Sequence, residues 1–158
     1  MVSKKNNFMK ETDIQTIFGK NNKIHGCFEL KLSKKNSIAF NAVKPHQVIA
    51  LSKASGSGLF HKISDFPMFA GSKARFNSQK PFDCVFLKET PSFVVVCWYV
   101  PLKPKEFHYI LIEDWLGEEA VSKRKSLTKE RSKEICLYDK IYKNILVKKP
   151  KKEIDKRR

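Results

Sequence analysis

The chain lacks any C-x-x-C pair: Cys27, Cys84, Cys97 and Cys136 stand far apart. Three of the four lie in apolar, strand-like runs, so buried thiols in a reducing compartment are expected, with neither a disulfide framework nor a zinc site. His25, His46, His61 and His108 show no metal-ligand spacing. No apolar run approaches the ~18 residues that span a bilayer, and Met1 to Asn7 has no apolar signal segment. These absences point to a soluble, intracellular, cytoplasmic protein with no membrane partner. Ser55-Gly56-Ser57-Gly58 lacks the Lys-Ser/Thr of a phosphate-binding loop and reads as a flexible turn. Acidic residues are scarce as well: 16 Asp+Glu face 32 Lys+Arg, for a net charge of +16. So much like charge opposes folding by self-repulsion and favours a polyanionic partner, nucleic acid first.

What is present is enough for one domain. The 158 residues are 41% hydrophobic and include 12 Phe. The charge is uneven, because residues 123–158 carry 15 Lys/Arg against 5 Asp/Glu. The organisation expected is an α/β domain over 1–122, a basic helical segment over 123–147 and a disordered basic tail over 148–158. Ile14, Ile17 and Phe18 give a short helix its apolar stripe, with Gly19 as a stop. Strands are expected at 25–32, 37–40, 59–63, 82–87, 93–100 and 107–112. Pro45 suits the first turn of a helix running to Ala54. Phe93 to Val100 is apolar without alternation, as in a central strand covered on both faces. Ile135, Leu137, Tyr138, Ile141, Tyr142 and Ile145 suggest a helix. Residues 66–80 form a long irregular loop in which Phe66, Met68 and Phe69 could act as a wedge or as a lid on the core.

The chemistry centres on Phe28-Glu29-Leu30-Lys31-Leu32. Its period-two alternation places Glu29 and Lys31 on one face of a strand. A carboxylate that can hold a divalent cation then stands beside an ammonium that can meet a phosphate oxyanion, the pair that phosphodiester hydrolysis needs. Gln47, one turn into the following helix, could point back at Glu29 or serve as a capping amide. Asp83, directly after Pro81-Phe82 at the mouth of an apolar strand, is a costly place for a charge and calls either for a cation or for backbone N–H donors at the strand mouth.

Glu29-x-Lys31, the short strand after it, the helix opening with His46-Gln47, and Pro81-Phe82-Asp83 together resemble the PD-(D/E)XK nuclease superfamily, most of all its Holliday junction resolvase-like branch. The resemblance covers roughly residues 8–113. It implies a mixed central β-sheet flanked by helices with a restriction-endonuclease-like core, and a Mg²⁺-dependent (Mn²⁺ possible) structure-selective DNA endonuclease acting as a homodimer on branched DNA. Asp83 and Glu29 would bind the metal, Lys31 and Gln47 would serve the attacking water, and Glu11 would act from the first helix. Lys34, Lys35, Lys44, Lys73, Arg75 and Lys80 would contact the sugar-phosphate backbone. The order departs from the family's, in which the acid-bearing strand precedes Glu-x-Lys. Asp65 and Asp13 are therefore alternative second acids. The competing expectations are a non-catalytic basic nucleic-acid-binding protein and a lysine-rich factor that binds a protein partner.

Overall fold

The computed structural model describes residues 9–62 and 84–142. In chain order the elements are α1 (Glu11–Asn21), β1 (Cys27–Ser33), β2 (Ser37–Ala39), α2 (Pro45–Ser55), β3 (Leu59–Lys62), β4 (Cys84–Leu87), β5 (Ser92–Trp98), β6 (Lys105–Leu111), α3 (Ile112–Val121), β7 (Ser126–Thr128), α4 (Lys129–Ile135) and β8 (Tyr138–Tyr142), with a 3₁₀ turn at Phe40–Ala42. β1, β5, β6 and β8 form a mixed sheet in that order. β1 runs parallel to β5, and the other pairs are antiparallel. β2 pairs with β7, and β3 with β4, as separate two-stranded ribbons.

Every residue of β5 is buried, because helices cover both faces of the sheet. Phe93, Val95 and Cys97 pack with Ile14 and Phe18 of α1. Val94, Val96 and Trp98 pack on the other face with Leu51 of α2 and with Ile112 and Trp115 of α3. The same alternation on β1 sends Phe28, Leu30 and Leu32 toward α1. It leaves Glu29 and Lys31 on the α2 side.

Gly26 admits the chain to β1. Its φ is +155°, and a Cβ there would stand 2.5 Å from the Pro91 carbonyl oxygen, which accepts the Cys27 N–H at 2.8 Å. Gly26→Ala should therefore lower the unfolding free energy by about 1–3 kcal/mol in a urea titration. An unchanged midpoint would show that this approach can relax.

The sequence expectations need three corrections here. Gly19 does not stop the first helix, which continues to Asn21, where the Asn22 N–H donates to the Phe18 carbonyl. The helix expected through Ile145 is a helix ending at Ile135, followed by strand β8. Thr128 accepts the Arg131 N–H and starts α4 early, and Leu137 N–H donates to the Tyr109 carbonyl at 2.8 Å, drawing the chain onto β6. Cys84 is exposed rather than buried, whereas Cys97 is buried and Cys27 and Cys136 are half-buried. Burial raises the thiol pKa of Cys27 and Cys136; that of Cys97 is pushed up to about 12 by burial, partly opposed by Lys105. Since the thiolate is the nucleophile, Ellman's reagent at about pH 8 should modify Cys84 rapidly in the native protein and all four thiols after denaturation. Rapid loss of the Cys97 thiol from the native state would contradict this packing.

Candidate functional site

Glu29 and Lys31 lie two residues apart on β1, and α2 brings Gln47 over them. Lys31 Nζ stands 2.9 Å from Glu29 Oε1. Gln47 Nε2 donates to the same Oε1 at 2.7 Å. Gln47 Oε1 accepts from Lys31 Nζ at 3.2 Å and from the Lys44 backbone N–H at 2.8 Å. The Lys44 N–H can only donate, so it fixes the amide oxygen toward itself and the amide NH₂ toward Glu29. Gln47 is thus both a helix-capping amide and the group that holds Glu29. Pro45 starts this helix with φ already set, which places Gln47 at its third position. The side chains of Lys31 and Glu29 are 14% and 24% exposed: sheltered, yet open to a ligand. The Lys31 and Gln47 contacts to Glu29 both fall on Oε1, and among the described residues none is made at Oε2.

Two clefts meet at this trio. One, of about 370 Å³, is walled by Glu29, Gln47, His46 and His61, with Ala50, Leu51 and Ala54 of α2 as its apolar lining. The other, of about 700 Å³, is lined by Lys31, Lys10, Lys34, Lys44 and Glu11. Four cationic side chains around one opening make a field that attracts a polyanion.

The expected site residues are thus partly brought together. Glu29, Lys31 and Gln47 are in mutual contact, and Glu11, Lys34 and Lys44 line the adjoining cleft. Lys35 is exposed in the turn after β1. Asp13 accepts the Lys10 N–H at 2.8 Å and caps α1, so it serves the helix and not Glu29. Asp65, Lys73, Arg75, Lys80 and Asp83 lie outside the described residues. The partners of Glu29 and Lys31 across the sheet are Val94 and Val96, so β5 supplies no second acid. His61 is a cleft residue that the sequence reading passed over. The period-two pattern of β3 could have flagged it, because it shares a face with Leu59.

A second polar cluster lies at the opposite edge of the sheet. One ligand atom from each of Glu106, His108 and Asp139 falls within 4.8 Å of the others, so this group could hold a metal ion. The histidines show no metal-ligand spacing along the chain; it is the register of β6 on β8 that sets His108 opposite Asp139. The cluster is already internally matched. Trp98 Nε1–H donates to His108 Nδ1 at 3.0 Å, so neutral His108 carries its proton on Nε2 and gives it to Glu106 Oε1 at 2.9 Å. Lys129 Nζ is 2.5 Å from Glu106 Oε2, and Lys133 Nζ is 3.4 Å from Asp139 Oδ2. An ion at Nε2 would have to displace that proton and leave Nδ1–H facing the indole N–H. Ser132 Oγ, 2.6 Å from Nδ1, completes a Ser–His–Glu connectivity like that of a hydrolase triad. Ser132 and His108 are both fully buried, however, so no substrate reaches the hydroxyl.

Comparison of the chain with protein-family models, curated proteins and solved structures returns no match. The α/β architecture, a central mixed sheet flanked by helices, therefore rests on the topology itself. No helix among the described residues is long and apolar enough to cross a membrane.

Proposed function

We propose that the chain is a Mg²⁺-dependent, structure-selective DNA endonuclease of the Holliday junction resolvase-like type, built on a restriction-endonuclease-like core and working inside the cell. One observation carries the reading: Glu29 is gripped at Oε1 by both Lys31 and Gln47 where a lysine-lined cleft opens. The donor chemistry fits a hard divalent cation, which prefers carboxylate oxygen and keeps several waters. Glu29 Oε2 would hold Mg²⁺, or Mn²⁺ in its place, with Asp83 as the second acid. When bound, the ion supplies an acidified water and neutralises phosphate charge.

The remaining chemistry belongs to the side chains. Lys31 meets the charge that builds on the phosphate oxygens, at a sheltered position where an ammonium counts for more than in bulk water. Gln47 keeps the Glu29 carboxylate in one orientation, so its second oxygen stays turned to the substrate. Lys10, Lys34 and Lys44 bind the sugar-phosphate backbone and set its position without reading bases. Glu11, on the wall of the same cleft, is placed to bind a water. Symmetric cutting of a junction calls for two such sites, hence a homodimer.

The alternative is a non-catalytic basic nucleic-acid-binding protein. It is favoured by the salt bridge that already neutralises Glu29 and by the lack of a second acid beside Glu29 among the described residues. Incubation with branched and linear DNA in Mg²⁺ separates the two readings. Metal-dependent cutting that is faster on the branched substrate and abolished by chelation supports the nuclease, and binding without cutting selects the alternative.

A further inference from the structure

The β3–β4 ribbon has two faces of different character. In its register Phe60 stands opposite Phe86, and Lys62 opposite Cys84. These four share the outer face, because directly paired residues and those two apart point the same way. The other face carries Leu59, His61 and Leu87 into the cleft with Glu29. The outer face is apolar and open: Phe60 is 70% exposed and Phe86 50%. Their ring centroids are 4.7 Å apart. The Phe86 ring also lies on the backbone of Gly58, where a Cβ would stand 2.4 Å from it. Gly58, at φ +109°, thus lets the ring seat itself, and the aromatic pair is held in place before any ligand arrives.

We infer that this face is a stacking platform for the unpaired bases of a single nucleic-acid strand. Two exposed aromatic rings on a chain of net charge +16 combine the two elements that single-strand binders use: π-faces for bases, which tolerate any sequence, and positive charge for the backbone. Charge decides against a second copy of this chain as the occupant. A second copy would bring another +16, whereas a nucleic-acid strand brings opposite charge. The inference rests on the nucleic-acid part of the proposed function and is independent of catalysis. It gives structure selectivity a physical basis, in that the lysine cleft takes backbone and the ribbon takes bases that are not in a duplex.

Phe60→Ala and Phe60→Trp test the platform without touching Glu29, Lys31 or Gln47. With a short labelled oligo-dT and a duplex of equal length, Phe60→Ala should weaken single-strand binding by about five-fold or more. Duplex binding and the slope of log K against log salt should stay unchanged, because the lost contact is not ionic. Phe60→Trp should restore affinity, and its exposed indole, unlike buried Trp98 and Trp115, should be quenched on adding oligo-dT. Equal affinity of wild type and Phe60→Ala for the single strand, or an equal loss on both ligands, would overturn the platform. So would binding of oligo-dT by Phe60→Trp with no quenching of the introduced indole. A wild-type protein that binds the duplex but not oligo-dT also overturns it and leaves the nuclease reading standing. Absence of binding to either ligand removes both.

Discussion

Glu29→Gln should give a folded protein that binds DNA at least as tightly as the wild type and cuts it about 10²–10³-fold more slowly in Mg²⁺. The variant is isosteric. Its amide oxygen can still accept from Lys31 Nζ and Gln47 Nε2, which now reach Glu29 Oε1 at 2.9 and 2.7 Å, so the packing of α2 on β1 survives. What disappears is the negative charge, and with it the hard ligand for a divalent ion. Removing an anion beside a cleft lined by Lys31, Lys10, Lys34 and Lys44 cannot weaken attraction for a polyanion. Binding and cutting are therefore expected to part company, as they would not in a misfolded variant. Initial rates on a branched substrate, with fluorescence anisotropy on the same preparation, make the comparison. Undiminished cutting by Glu29→Gln would remove Glu29 from the chemistry.

The largest stability effect is expected at the buried edge cluster. His108→Leu should lower the unfolding free energy by about 2–4 kcal/mol. His108 is fully buried, and its Nδ1 accepts the Trp98 indole N–H. Leucine fills similar space but leaves that donor, and the Ser132 hydroxyl, without a partner away from water. An unmade buried hydrogen bond costs more than a made one contributes. Adding Trp98→Phe should therefore recover part of the loss, because the stranded donor is removed too. A double-mutant cycle in urea measures the recovery, and strict additivity would mean the Trp98–His108 bond carries no coupling energy.

The same cluster sets an acid limit. Burial raises the Glu106 pKa, but hydrogen bonds from Lys129 and His108, together with the Lys129 charge, outweigh it and hold the carboxyl below its ordinary value of 4.5. A carboxylate depressed on folding stabilises fully above its unfolded pKa, and that stability is lost as pH falls through the folded value. The wild type should lose stability below about pH 4.5, and Glu106→Gln should lose less over that interval.

Much of the central architecture could be read from the chain, because local periodicity carries it. Alternation in residues 27–33 gave Glu29 and Lys31 a common face, and the uniform apolarity of 93–98 marked a strand with both sides covered. Pro45 announced the start of α2, and a start at that residue puts Gln47 one turn in. The C-terminal stretch was misread because Ile135, Tyr138, Ile141 and Tyr142 satisfy helical spacing. The hydrogen bond from Leu137 to Tyr109, which no local pattern contains, makes that stretch a strand. Glu106-x-His108 has the same two-residue spacing as Glu29-x-Lys31, yet only the register of β6 on β8, which sets His108 opposite Asp139, adds the third group.

By itself, then, the sequence determined the excess of positive charge, the two-sided central strand and the pairing of an acid with an amine on one face. These depend on composition and on contacts between near neighbours. Tertiary structure alone decided that α2 closes over Glu29, that the ribbon turns its two phenylalanines outward, and that a histidine on β6 meets two carboxylates. Each of those depends on hydrogen-bond register and packing between segments distant in the chain, which side-chain periodicity does not encode.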